Sequence, residues 1–98
     1  MKALLRGTIP VARRALGDTG DLTLSVRSIY AAALYEDPGA ALDDLVEAVE
    51  TLEETTRTAR RVLGGAHPHL RMFEFALRKA RATLAAREAP ARLGALAL

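Results

Sequence analysis

Apolar residues recur at three- and four-residue steps along most of the chain, a spacing typical of amphipathic α-helices. Glycine and proline interrupt the pattern and divide it into four predicted helices, over residues 9–16, 22–35, 41–63 and 68–88. Proline is tolerated in the first turn of a helix but breaks an interior, so the first helix is predicted to start just before Pro10. The predicted fold is all-α: antiparallel helix pairs forming a short right-handed solenoid.

The same breaks predict where the helical domain begins and ends. Residues 1–8, which include Gly7, are predicted to form an N-terminal segment, and residues 9–88 the helical repeat domain. Pro90 and Gly94 are both poor helix residues, so residues 89–98 are predicted to form a C-terminal tail.

The two long predicted helices differ in their polar faces. The third is acidic at its start and basic at its end, which complements the helix macrodipole. Glu53 precedes Arg57 by four residues, the spacing of a surface ion pair within one helix. In the last helix Phe75 lies off the apolar seam, which is predicted to contain Phe73, Leu77, Ala80 and Leu84.

A short segment is repeated along the chain. Residues 13–17 read RRALG and residues 60–64 read RRVLG, so four of five positions agree at a separation of 60 − 13 = 47 residues. In both copies a helix is predicted to end at the glycine, Gly17 or Gly64, since glycine suits the left-handed position after a helix. Self-similarity at such a period is the sequence signature of a helical solenoid.

The second copy continues into LGGAHP, residues 63–68, which is similar to the turn between repeats in kinesin-light-chain-type tetratricopeptide proteins. There a basic pair and Leu-Gly end one helix and His-Pro starts the next repeat, as His67 and Pro68 do here. A Thr-Leu follows the turn in that family, and Thr23 and Leu24 stand there in the upstream copy. The usual period is about 34 residues, so this chain resembles a lengthened variant.

The resemblance implies a non-catalytic module, a scaffold or adaptor that binds a protein or peptide through a concave face. The candidate contacts on that face are Arg27, Tyr30, Arg71, Glu74, Phe75 and Arg78. Two departures bear on this expectation. Gly20 and Asp21 replace His-Pro in the first copy, and the chain has no Asn, although the family often holds a peptide backbone with an Asn pair.

Nothing in the sequence specifies a reaction, so we expect neither catalysis nor a cofactor. The chain has no Cys, which excludes disulfides and thiolate metal sites. His67 and His69 provide two imidazoles, whereas zinc takes three or four ligands, so we predict a turn and no metal site. Adjacent acids such as Asp43 and Asp44 diverge by about 100° on a helix and do not converge on a substrate.

The charge leaves several partners open. Net charge is only +2, but the last helix carries Arg71, Arg78, Lys79, Arg81 and Arg87, which suits a solvated face, an acidic protein ligand or nucleic acid. Aromatic residues make up 4% of the chain, too few for base stacking, which argues against nucleic acid. Two alternatives to the interaction module are a structural bundle that only forms homo-oligomers and a piece of a longer repeat array. The apolar runs are short, so the predicted location is cytoplasmic, without membrane contact.

Overall fold

A computed structural model describes residues 2–17 and 20–97, with side chains over residues 3–17 and 20–89. Four helices account for most of these residues: α1 Lys2–Leu16, α2 Asp21–Tyr35, α3 Leu42–Leu63 and α4 Pro68–Ala97. The prediction of an all-α chain with four helices is confirmed, and the described part of the chain contains no strand.

Each helix packs against the next one along the chain, and short loops make consecutive helices antiparallel. The backbone of α2 also packs against α4, whereas that of α1 packs only against α2. The helices thus form a flat array with principal extents of 52 × 30 × 15 Å. In such an array α1 has the least tertiary support, because its backbone packs against one helix only.

The core lies between α2, α3 and α4 and is rich in Leu and Ala. Its larger cluster includes Leu34, Leu45, Leu52, Ala76, Leu77 and Ala80. A smaller cluster near the interhelical turns contains Leu24, Ala59, Leu70 and Phe73. Alanines at the crossings let the helix backbones approach closely, while the leucines provide most of the buried apolar area. As the seam of α4 predicts, Phe73, Leu77 and Ala80 are buried, and Phe75 is exposed.

The first helix starts at Lys2, seven residues before its predicted start, and Pro10 lies inside it. Proline in a helix interior removes one backbone hydrogen bond and crowds the preceding turn. Tertiary contacts support the earlier turns nevertheless, because Leu5 and Ile9 pack against the core. Arg6 adds hydrogen bonds to Tyr30. The local rule for proline was therefore overridden by packing.

The last helix continues through Pro90 and Gly94 to Ala97, so the prediction that these two residues end it was wrong. The flanking residues are mostly Ala, Leu and Arg, which have the highest helix propensities. Near the predicted end, the Arg87 guanidinium donates a hydrogen bond to the Ala40 carbonyl oxygen at 2.5 Å. This bond ties α4 to the loop between α2 and α3.

The repeated RR-x-LG segments end their helices in similar ways. Helices α1 and α3 end at Leu16 and Leu63, and the following glycines have positive φ, 85° at Gly17 and 87° at Gly64. No other described residue has positive φ. The two copies therefore share a positive φ at the glycine as well as sequence.

Candidate functional site

Two of the six candidate contact residues are buried and hold helices together. Arg27, whose residue is 8% exposed, forms an ion pair with Glu54 of α3 at 3.0 Å. Tyr30, 3% exposed, donates a hydrogen bond to Glu47 of α3 at 2.5 Å and accepts one from Arg6 of α1 at 2.7 Å. Both residues are therefore buried between helices rather than exposed to solvent.

The Tyr30 hydroxyl joins three helices. Burial and then the hydrogen bond to Glu47 raise the pKa of Tyr30 above its ordinary value. The hydrogen bond with Tyr30 in turn raises the pKa of Arg6, and Arg6 also lies 3.5 Å from a Glu47 oxygen. This arrangement stabilises the fold and leaves no open coordination or binding position at the hydroxyl.

A concavity lined by charged side chains lies between α3 and α4, and we call it the arginine groove. Its volume is about 290 Å³. The residues that line it are Glu53, Thr56, Arg57, Arg60, Glu74, Leu77, Arg78 and Arg81. Four cationic and two anionic side chains face one another across two helices, so the groove is cationic overall.

The two carboxylates of the arginine groove are both occupied by cross-helix ion pairs. Glu74 pairs with Arg60 at 3.2 Å, and Glu53 pairs with Arg81 at 3.0 Å. Glu53 was predicted to pair with Arg57 within α3, but it reaches across to α4 instead. Arg57 thus has no carboxylate within ion-pair distance in the described part of the chain.

Arg78 is the second guanidinium of the arginine groove without a carboxylate partner among the described residues. It lies over the ring of Phe75, with its guanidinium carbon 6.0 Å from the ring centroid. Lys79 lies over the same ring at 5.4 Å, and Phe75 is 56% exposed. An exposed apolar surface with two cations therefore borders the groove.

The structure thus separates the six candidate contacts. Glu74 and Arg78 line the arginine groove and Phe75 borders it, whereas Arg71 is exposed elsewhere on α4. The contribution of α3, from Arg57 and Arg60, was missed because the basic end of that helix was interpreted as a complement to its macrodipole. The sequence did contain a signal for it: the end of α3 is basic, and it is followed by a basic helix, α4, that runs antiparallel to it.

At the turn before α4, the structure brings together three side chains with metal-ligand chemistry: Asp21, His67 and His69. The Nδ1 atom of His69 lies 2.6 Å from Oδ1 of Asp21. The sequence prediction considered only the two histidines, and Asp21 lies 48 positions before His69. Only the packing of α2 beside α4 places it there.

Together these features define an all-α helical protein with a cationic groove between its last two helices. The chain matches no protein-family model, no curated protein and no solved structure. None of its helices, over the residues described, combines the length and the hydropathy that crossing a bilayer requires.

Proposed function

We propose that the chain is a non-catalytic protein-interaction module of tetratricopeptide type that binds an acidic peptide segment through the arginine groove. The observation that carries the proposal is the surplus of guanidinium groups there: Arg57 and Arg78 face the groove without carboxylate partners among the described residues. Guanidinium groups bind carboxylates through paired, charge-assisted hydrogen bonds. An acidic segment therefore completes the charge balance of the groove.

The surroundings of the groove favour a peptide with apolar as well as acidic residues. Leu77 lines the groove, and exposed Phe75 borders it. An acidic segment that carries a leucine matches these features better than a purely charged polymer does.

The aromatic residues argue for protein over nucleic acid as the partner. The chain has two Tyr, two Phe and no Trp, and Tyr30, Tyr35 and Phe73 are buried. Phe75 is the one exposed residue among these four, so the surface offers few rings for base stacking. Sequence-tolerant binding of single strands relies on several such rings in a basic groove.

The resemblance to tetratricopeptide proteins supports the module class, since such helical arrays present extended binding surfaces. The packing of α2 beside α4 is compatible with a role for these helices as the first helices of successive repeats. The partner segment would then bind beside the second of these helices, against the preceding α3.

The test is fluorescence anisotropy with a labelled peptide in which Glu and Asp alternate with Leu, compared with a peptide carrying Gln and Asn instead. The variant Arg57→Gln with Arg78→Gln removes both unpaired guanidiniums of the groove. Its control, Arg61→Gln with Arg71→Gln, removes the same charge from exposed positions of the same helices.

We expect the acidic peptide to bind and the neutral peptide not to bind. The groove variant should bind about tenfold more weakly, because each exposed charge contact is worth up to ~1 kcal/mol. The control should change affinity by less than about threefold. If the groove variant and the control lost peptide affinity equally, the effect would be due to net charge and not to the arginine groove. Absence of binding together with a concentration-dependent dimer would favour the homo-oligomeric bundle.

A further inference from the structure

The first turns of α2 and α4 meet at a cluster of three side chains that the arginine groove does not include. Asp21 is the first residue of α2, and His67 and His69 flank Pro68, the first residue of α4. One nitrogen or oxygen atom from each side chain lies within 4.8 Å of those of the other two. The two imidazole rings are 5.0 Å apart between centroids.

Both histidines already make one hydrogen bond, and each retains a second ring nitrogen. The Nδ1 atom of His67 accepts a hydrogen bond from the backbone N–H of His69 at 3.1 Å, so His67 caps α4. The carboxylate of Asp21 only accepts, so Nδ1 of His69 donates across the 2.6 Å contact. The cluster is ordered by the protein's own bonds.

We propose that Asp21, His67 and His69 bind a divalent transition-metal ion, with zinc as the best match. Two imidazole nitrogens and one carboxylate oxygen are a ligand set that zinc uses when water completes its coordination. The side chains of Asp21 and His69 are 45% and 40% exposed, which leaves room for that water. The ligand set lacks thiolates, and its nitrogen donors disfavour magnesium and calcium.

The distances require only side-chain rotation. Zinc bonds of about 2.1 Å place tetrahedral ligand atoms roughly 3.4 Å from one another. The present separations extend from 2.6 Å, between Asp21 and His69, to at most 4.8 Å within the cluster. Movements of about one ångström at the ends of exposed side chains bring the three atoms to that spacing.

Metal binding competes with the hydrogen bonds that now order the cluster. A neutral imidazole carries one proton, and Nδ1 of His67 accepts, so its proton lies on Nε2. Coordination through Nδ1 displaces the His69 amide, and coordination through Nε2 moves the proton onto Nδ1. Either route breaks the cap of α4. The positive N-terminal ends of α2 and α4 also oppose a cation, and the Asp21 carboxylate offsets this.

The site has three protein ligands, and binding the ion costs the hydrogen bond that caps α4. We therefore expect weaker binding than at a closed structural site with four protein ligands. The bound ion would link the first turn of α2 to that of α4. It would thereby fasten the second helix to the last, and the melting temperature should rise with zinc concentration.

The test is isothermal titration calorimetry of the tag-free chain with Zn²⁺. The chain contains two His and no Cys, so no other imidazole or thiolate competes. We expect one ion per chain. His67→Ala and His69→Ala should each weaken binding at least about tenfold. Asp21→Asn keeps an oxygen for the His69 hydrogen bond but loses the charge. It should also weaken zinc binding at least about tenfold.

The matched control is Asp43→Asn, which removes one carboxylate from an exposed position in the first turn of α3. Circular dichroism verifies that each variant remains helical, and thermal melts provide a second readout. Zinc should raise the melting temperature of the unmodified chain and of Asp43→Asn but not of His69→Ala. Equal zinc affinity in Asp21→Asn and Asp43→Asn, or binding weaker than about 1 mM, would overturn the proposal.

Discussion

At the scale of single residues, the Tyr30 hydroxyl is the centre of a contact between three helices. It links Arg6 of α1 and Glu47 of α3 to α2. The phenylalanine variant Tyr30→Phe keeps the buried ring and removes the hydrogen bonds with Arg6 and Glu47. We expect the free energy of unfolding to fall by about 1 kcal/mol in chemical denaturation at neutral pH. Tyr35→Phe is the control, since burial and then the charge of Glu36, rather than a hydrogen bond, raise the pKa of Tyr35.

Tyr30 also gives a pH dependence with a defined sign. Its pKa is raised in the folded chain, so the unfolded chain loses its phenol proton first, near a pH of about 10. The contribution to stability is complete below that pH and is lost as the pH rises through the folded-state pKa. The loss between about pH 9.5 and 11 should therefore be smaller in Tyr30→Phe. A parallel loss in both proteins would show that other groups cause it.

At the scale of helices and turns, Gly64 ends α3 with φ 87° and ψ 160°, a conformation that is essentially restricted to glycine. A methyl group added there meets no atom within 4 Å, so Gly64→Ala tests backbone strain alone. We expect it to lower the free energy of unfolding by about 1–3 kcal/mol. Gly65 has equally open space without positive φ, and Gly65→Ala should be neutral or slightly stabilising.

Comparing the stabilities of Gly64→Ala and Gly65→Ala shows whether the turn requires the positive φ at Gly64. Urea denaturation of both variants, with helicity followed by circular dichroism, measures the difference. If the two alanine variants were equally stable, the positive φ at Gly64 would be unnecessary for the turn. The repeated RR-x-LG segment would then reflect composition rather than a shared turn conformation.

The helices themselves were predictable because their apolar period is a local property, and their ends at Leu16, Tyr35 and Leu63 follow from nearby glycines and prolines. Prediction failed where distant contacts overrule local rules. Pro10 lies inside α1 because the preceding turn is held by packing. Glu53 pairs with Arg81 on the facing helix rather than with Arg57 four residues away.

In the candidate sites, too, the features that depend on local sequence were predictable and those that depend on distant contacts were not. The basic face of α4 was visible in the sequence, but the arginine groove also needs α3, whose orientation depends on the packing of both helices. The cluster of Asp21 with His67 and His69 joins two turns far apart in the chain. A single sequence contains no local signal for such a meeting.

At the scale of the whole molecule, stability should decrease toward α1. This helix packs its backbone against one neighbour only, has Pro10 in its interior, and leaves Leu4 and Val11 71% and 55% exposed. Few buried contacts lower the free energy of local opening. We therefore expect α1 to open while α2, α3 and the first part of α4 remain folded.

Native-state hydrogen exchange measures this directly. Amides around Leu5 and Ile9 should exchange at least about tenfold faster than those around Leu45 and Leu52, and their rates should depend little on low denaturant. Pro10→Ala restores a backbone donor and should slow exchange throughout α1, because proline costs a helix interior about 3 kcal/mol. Exchange of α1 only with global unfolding would instead show that the links from Arg6 to Tyr30 and Glu47 make all four helices one cooperative unit.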